Sequence, residues 1–524
     1  MFQLSDGFNY LVISPVNGFS HMKFMASIAN QLADGGHNVT FFQPFALEAY
    51  HNHTLITNPS INIFNYYHDK EGLRHLPPPT SLSDAWDTKK YQSGLMSVFD
   101  MPKVLFGMWE HMCRRMFQDT ELHQVLKSQD FDVVFAETFD FCGLYLSDYL
   151  GFRSIVSVFT GSRLLAITDP LGEPSWIHYF PAPGSESYGP GAGILDRMND
   201  LYYKYVFGYG YVRLFDWQFQ QVSQLTNGKV RHWKRILKDV TFHFSNSNPY
   251  LDFPIPSISK IIPIGGFDMD TDKKPLGLSP ELNSLLNARP VTIFVSFGSM
   301  VKSQFMPDHY KSAMLKFFAA NSQHITFLWK YEDLNDKLIT DNLPDNVFLG
   351  EWFPQTALLA DKRVKLFITH GGLASTMELA YAAKPAIVIP LIAEQPDNAN
   401  MLSRHGSVEV FSKFDIPNWQ KLHDLTLKML HTESYQLSAD RLALVLANQP
   451  ISPKDLMIRH AEMAAKFGRM PELTPRVMDM GVVEFYNLDI VLLVIGIVIG
   501  FGFVIRNLCL VKKFYSMPKV MKVD

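Results

Sequence analysis

The sequence predicts an α/β chain of two doubly wound, Rossmann-like domains facing a cleft, followed by one membrane-spanning helix. Three observations carry that prediction: short apolar runs separated by helical lengths in the first half, the same alternation restarting near residue 291, and an uninterrupted apolar stretch near the end. The chain has 524 residues. Single cores stop growing at roughly 250 to 300 residues, so two globular domains with appendages are expected.

The first domain is read as residues 1–247. Tyr10 to Ser14 is a short apolar run, Asn17 to His21 a glycine-containing loop, Met22 to Leu32 helical, and His37 to Phe42 a second strand. Together they form a βαβ unit, and the pattern recurs at Phe131 to Phe135 and at Ser154 to Phe159. Residues 248–290, rich in proline and glycine from Pro254 to Pro290, read as a linker. The second domain, residues 291–470, restarts the alternation with strands at Val291 to Phe297, Ile325 to Trp329, Val347 to Leu349, Leu366 to Thr369 and Ala386 to Ile389, and ends in closing helices from Trp419 to about Arg469. Ligands of open parallel sheets bind beyond the carboxyl ends of the strands, so the two domains define a cleft suited to two substrates.

Ile490 to Ile505 is apolar or glycine throughout, and with Leu508 to Val511 it approaches the roughly 20 residues that span a bilayer. The span is placed at 488–511, with Asp489 and Arg506 at its interfaces and a tail at 512–524 carrying Lys512, Lys513, Lys519 and Lys522. Positive residues stay on the cytosolic side, which puts the tail in the cytosol and the large domains in the lumen. A lumenal domain needs an entry signal. MFQLSDGFNYLVISPV has no basic n-region and no h-region apart from the first strand, so the signal is either processed away, missing from an incomplete start, or served by the first strand region. Asn38-Val39-Thr40 and Asn52-His53-Thr54 are glycosylation sequons of a kind common by chance.

Composition narrows the partners. With 47 Lys and Arg against 51 Asp and Glu there is no basic field for nucleic acid. The three cysteines, Cys113, Cys142 and Cys509, are read as offering neither a disulfide framework nor a CxxC metal site. Aromatic residues crowd between Leu201 and Phe219, the pattern of an apolar-ligand wall, a membrane-facing surface or an aromatic core helix.

The chemistry-bearing residues follow strands of the second domain: Ser296-Phe297-Gly298-Ser299, Glu351-Trp352-Phe353-Pro354-Gln355, and the run His370 to Glu378. A nucleotide diphosphate needs small residues, amide donors and a helix N-terminus, which His370-Gly371-Gly372 with Ser375 supplies. Glu378 can accept from ribose hydroxyls, Trp352 offers a stacking face for a base, and Gln355 lies near enough for the base edge.

Residues Trp352 to Gln395, with Pro390-Leu391-Ile392-Ala393-Glu394-Gln395-Pro396-Asp397-Asn398, closely resemble the signature of the UDP-glycosyltransferase family, whose animal members are the UDP-glucuronosyltransferases. The resemblance covers nearly the whole chain. It implies a GT-B-type fold, with Ser299 and His370 at the diphosphate, Trp352 and Gln355 at uracil, Glu378 at ribose, Gly372 and Ser375 at phosphate, and Glu394 with Gln395 at the sugar hydroxyls. Two positions depart from the pattern: Ala374 stands where many animal members have Asn, and Glu394 where Asp is usual. These departures put donor affinity and the identity of the sugar in doubt.

The resemblance also implies a general base at His21, since a histidine beside a carboxylate titrates near neutrality and can take the proton of an incoming hydroxyl. In Ala136-Glu137-Thr138-Phe139-Asp140 the partner is Glu137 by register, with Asp140 the competing candidate. The expected reaction is inverting, metal-independent transfer of a hexosyl group, glucuronosyl or glucosyl, to a hydroxyl of a small lipophilic acceptor. No cofactor beyond the UDP-sugar co-substrate is implied. The enzyme is expected in the endoplasmic reticulum membrane, in contact with lipid through its anchor and with homo-oligomerisation open. The competing reading is a catalytically impaired UDP-sugar-binding membrane protein or regulatory subunit.

Overall fold

A computed structural model describes residues 7–15, 18–44, 55–67, 83–86, 110–174, 193–269 and 277–515. Outside them lie Asn17, the second sequon at Asn52 to Thr54, Pro275 of the expected linker, and Lys519 and Lys522 of the tail. The chain divides into two compact units, Met1–Leu473 and Thr474–Asp524.

The first unit holds two all-parallel sheets. One has seven strands: β1 (Asn9–Ile13), β2 (Asn38–Pro44), β3 (Asn62–Tyr66), β4 (Val133–Glu137), β5 (Ile155–Phe159), β6 (Phe242–Ser245) and β7 (Ile261–Pro263), in the order β3-β2-β1-β4-β5-β6-β7. The other has six: β8 (Val291–Ser296), β9 (Ile325–Lys330), β10 (Val347–Gly350), β11 (Val364–Thr369), β12 (Ala386–Val388) and β13 (Val408–Val410), in the order β10-β9-β8-β11-β12-β13. Strands such as VVFAE and IVSVF are buried on both faces and carry continuous apolar runs, as parallel strands covered by helices must. The strand order reverses direction at β1/β4 and at β8/β11, and these switch points are where a ligand crevice opens.

The linker expectation needs amending. Ile261–Pro263, inside residues 248–290, is the seventh strand of the first sheet and pairs with β6. Three or four residues of strand flanked by Pro256 and Gly265 leave too little periodicity to see in sequence, which also hid β6 and β13.

Helices relevant to the site are α1 (Phe19–Asp34), α2 (Cys142–Leu150), α3 (Ile194–Leu225), α4 (Gln355–Ala360), α5 (Leu373–Tyr381), α6 (Gln395–Ser403) and α7 (Pro453–Phe467). The α7 segment, read as closing the second domain, packs instead on the first sheet. Ser452 caps it by accepting from the Asp455 amide at 3.0 Å, Pro453 fits the first turn, and Gly468 at φ 70° ends it. Its buried Met457, Ala461, Ala464 and Ala465 share one core with Val133, Val156 and Phe244. In return, Ala85 and Trp86 insert into the core of the second sheet. There Trp86 lies 4.9 Å from the Phe297 ring centre, donates to the Lys302 carbonyl at 3.0 Å, and is fully buried. Each half therefore lends a segment to the other's core.

The cysteine reading is also corrected. Cys113 and Cys142 form a disulfide with Cα atoms 5.7 Å apart. Three cysteines exclude a multi-bond framework, but partners 29 residues apart meet only once α2 is placed against helical residues 110–118. Closing a loop of that length stabilises by about 3 to 4 kcal/mol in the chain-entropy account.

The second unit contains α8 (Leu488–Tyr515), of which Leu488–Lys512, 25 residues, is long and apolar enough to cross a membrane. At 1.5 Å per residue this is about 37 Å, against about 30 Å of hydrocarbon. The helix runs a turn beyond the expected 488–511. The rings of Phe485 and Tyr486 sit 4.7 Å apart just before it, where interfacial aromatics anchor such helices.

Replacing Trp86 with Ala removes a fully buried ring from the second core. A loss of about 3 to 5 kcal/mol is expected in urea unfolding, with both halves losing structure together because each completes the other.

Candidate active site

His21 sits in the first turn of α1 and not at the end of a loop, because the helix already begins at Phe19. Glu137 is the last residue of β4 and is 1% exposed. Since β1 and β4 are hydrogen-bonded neighbours, with Ile13 beside Ala136, the segments leaving their carboxyl ends are brought face to face. His21 Nδ1 lies 2.6 Å from Glu137 Oε1. Thr160, following β5, completes a triangle: its Oγ1 lies 2.7 Å from His21 Nδ1 and donates to Glu137 Oε1 at 2.5 Å. With the Thr160 proton committed to the carboxylate, Nδ1 must carry the imidazole hydrogen and donate to both oxygens, which leaves the Nε2 lone pair free to accept a proton.

Burial works against the charged imidazole of His21. The charge and hydrogen bond of Glu137, with a further contribution from Glu394, outweigh it and hold the pKa above that of free histidine. Among the described residues Glu137 Oε2 is buried without a partner, so the imidazolium is the main compensation this carboxylate has. Asp140, the other candidate partner, is committed elsewhere. Its Oδ1 accepts from the Cys142 amide at 2.9 Å and from Gln218 Nε2 at 2.6 Å, tying the start of α2 to α3. Burial pushes its carboxyl up to about 6, against those two donors.

Across the cleft, Gln355, Ser375 and Glu378 converge. Gln355 Nε2 donates to Ser375 Oγ at 3.0 Å and to Glu378 Oε2 at 2.6 Å, while Thr356 Oγ1 donates to Glu378 Oε1 at 3.2 Å. Trp352 is 62% exposed, with the Phe19 ring edge-on at 5.5 Å. A flat, open aromatic face beside an amide and a carboxylate suits a base and its ribose.

His370 follows β11 and is walled by two glycines. A Cβ at Gly298 would lie 2.6 Å from its Nε2, and one at Gly372 2.7 Å; Gly298 also has φ 82°. Burial, aided by the charge of Lys330, pulls its pKa down to about 4, so the ring is neutral near pH 7 and can donate without adding charge. Ser299 lies on the turn after Gly298, and Gly372, two residues after His370, is the N-cap of α5, with no side-chain cap on the first amides of that helix.

Glu394 and Gln395 open α6 and behave differently. Glu394 is exposed and within electrostatic reach of His21 and Tyr211. Gln395 is buried, and its Oε1 accepts from the Leu391 and Ile392 amides at 2.8 and 3.0 Å, so its oxygen shapes the loop and only its amide hydrogens remain for a ligand. Ala374 is exposed on the first turn of α5.

The aromatic stretch divides along α3. Phe215 is core, whereas Tyr202, Tyr205 and Tyr209 are exposed and Tyr211 is half-buried, its ring 6.1 Å from that of Phe215 and within electrostatic reach of Glu394; the Phe207 side chain lies outside the description. Sequence reasoning missed Thr160, Thr356, Lys23 and Lys330. Only Lys330, a lysine closing the apolar strand ITFLWK, left a signal; its Nζ donates to the Gly298 carbonyl at 3.0 Å and to Glu332 at 2.6 Å.

Solved structures with this architecture include LpCGTa in complex with UDP (TM-score 0.55, 16% identity, covering 88% of this chain and 99% of that one). Another is a UDP-glucosyltransferase from Polygonum tinctorium (TM-score 0.57, 18% identity, 88% and 99%). Two facing doubly wound sheets of this kind define a GT-B glycosyltransferase fold. The family described as "UDP-glucoronosyl and UDP-glucosyl transferase" matches residues 10–523, and the chain belongs to it: it is a UDP-glycosyltransferase. Similar relatives include mouse UDP-glucuronosyltransferase 1A7, 25% identical over 95% of this chain and 91% of the mouse protein. UDP-glycosyltransferase UGT5 of Dactylopius coccus is 23% identical over 94% and 90%.

Gly298→Ala should press a methyl group into His370 and strain a left-handed turn, weakening UDP binding by roughly tenfold or more in calorimetry. Unchanged affinity would remove His370 from the donor site.

Proposed function

We propose that this enzyme transfers a hexosyl group, glucuronosyl or glucosyl, from the UDP-sugar to a hydroxyl of a small lipophilic acceptor with inversion at the anomeric carbon. The observation that carries this reading is the His21–Glu137 pair at 2.6 Å, with Thr160 fixing the tautomer. His21 Nε2 takes the acceptor's hydroxyl proton as the acceptor oxygen bonds to the anomeric carbon. The bond from that carbon to the β-phosphate oxygen breaks, and UDP departs with the electron pair. Glu137 orients the ring and stabilises the imidazolium. Asp140 serves as a structural tie.

The donor reading assigns uracil to Trp352 and Gln355, ribose to Glu378, and the diphosphate to Ser299, His370, Gly372, Ser375 and the amides opening α5. These donors neutralise the developing charge on UDP, and no cofactor beyond the sugar nucleotide is required by the scheme. Glu394 and the Gln395 amide hydrogens take the sugar hydroxyls. Phe139, its ring 5.0 Å from that of His21, and Tyr211 supply apolar surface beside the base for a lipophilic acceptor.

We place the catalytic unit in the lumen of the endoplasmic reticulum, anchored by α8 with the tail in the cytosol. The apolar helix followed by Lys512 supports the anchor and its direction. The Cys113–Cys142 bond supports an oxidising compartment.

His21→Ala should lower kcat by roughly 10²- to 10⁴-fold while leaving UDP affinity within about twofold, as read by initial rates and calorimetry. A fall in UDP affinity of the same size would refute the base assignment. The base works when neutral, so kcat/KM rises with pH through the His21 pKa, which Glu137 holds high. In Glu137→Gln the acidic limb should move to lower pH and the plateau drop by roughly 10²-fold. An unmoved limb would rule out Glu137 as the partner.

A further inference from the structure

His21 and Lys23 are two residues apart on α1 and so project about 200° apart around the helix. His21 turns to Glu137 on its own sheet. Lys23 turns to the other half of the molecule, where its Nζ lies 3.0 Å from Glu378 Oε1. Glu378 is a poor place for a bare charge, being 5% exposed and otherwise held by the neutral donors Gln355 and Thr356. A second carboxylate, Asp268 in the loop after β7, also faces this point and accepts from Ser27 Oγ at 3.4 Å.

We propose that Lys23 is a positioning residue for the donor: by pairing with Glu378 Oε1 across the cleft it fixes that carboxylate, together with Gln355 and Thr356, in the orientation that accepts from ribose hydroxyls. The inference rests on the assignment of ribose to Glu378.

The electrostatics run in that direction. Burial opposes the charge on Lys23, but Glu378 and then Asp268 outweigh it and raise its pKa. Burial pushes Asp268 up as well; Lys23 opposes that shift and Glu378 adds to it. The groups facing the cluster are Glu378 and Thr356 with Gln355 from the second half, Asp268 from the loop, and Ser27 from α1. Tyr381, in reach of Asp268, has its own pKa raised to about 12 and stays neutral. Without Lys23 two carboxylates share a site with no cation among these groups. Asp268, pushed up by burial, then loses the cation that opposes that shift, and Glu378 loses the donor that holds its Oε1 in place. The same pair links the helix that carries the base to the helix that carries Ser375.

The test is calorimetric binding of UDP and of 2′,3′-dideoxy-UDP to the full-length enzyme and to Lys23→Met and Lys23→Arg, at about pH 7.5. Expected is a Lys23→Met Kd for UDP raised roughly tenfold over wild type, with restoration by Lys23→Arg. Discrimination between UDP and its dideoxy analogue should shrink in Lys23→Met. If wild type discriminates between the two nucleotides and Lys23→Met does so equally, the role of Lys23 is overturned while Glu378 keeps the ribose. If wild type binds both nucleotides alike, the ribose assignment itself fails. A Lys23→Met protein with an unaltered thermal melt excludes unfolding as the cause; should it melt early, Lys23→Arg decides, because a loss of discrimination there in a protein that melts as wild type does contradicts the proposal.

Discussion

The parallel pairing of β1 with β4 and of β8 with β11 is the constraint on which the site depends. In each sheet the two strands are hydrogen-bonded neighbours, while the chain leaving them turns to opposite sides. Their carboxyl ends therefore open a crevice. His21 and Glu137 meet at the first crevice although 116 residues separate them, and the Gly298 turn meets His370 at the second. Glycine at 298 and 372 follows from the same constraint, since two strand-end loops and an imidazole share one small volume.

A second constraint is electrostatic. The cleft contains two buried carboxylates, Glu137 and Glu378, one on each side. Burying such groups is costly unless donors or cations compensate. Both are answered from α1, by His21 and by Lys23, through the simple fact that residues two apart on a helix point in nearly opposite directions. The exchange of segments between halves, Trp86 one way and α7 the other, holds α1 where it can serve both sides. In the proposed mechanism this makes base and donor site parts of one rigid arrangement.

Much of this was legible beforehand because it is written locally. Apolar runs such as VVFAE and VTIFVS marked the strands, the glycines beside His370 and the helix after them marked a candidate anion site, and the sixteen apolar or glycine residues from Ile490 to Ile505 marked a helix long and apolar enough to cross a membrane. Of the strands that the sequence pattern leaves unmarked, β6, β7 and β13 are three or four residues long and carry too few positions for a period to register, and β3 is a five-residue edge strand, NIFNY, with most of its side chains outside the core. The disulfide escaped because pairing depends on where α2 lies, which no count of cysteines contains.

The sequence by itself determined the layered α/β class, the loops proposed to hold the nucleotide, the base candidate and the long apolar helix, since each depends on residues close together in the chain. Only the tertiary structure set Glu137 and not Asp140 beside His21, brought Thr160 to both, turned Gln395 inward and set Lys23 against Glu378. Those outcomes depend on side-chain direction and on burial at sites assembled from distant strands. A few ångströms there separate a base partner from a helix tie, and one-dimensional spacing carries no information on that scale.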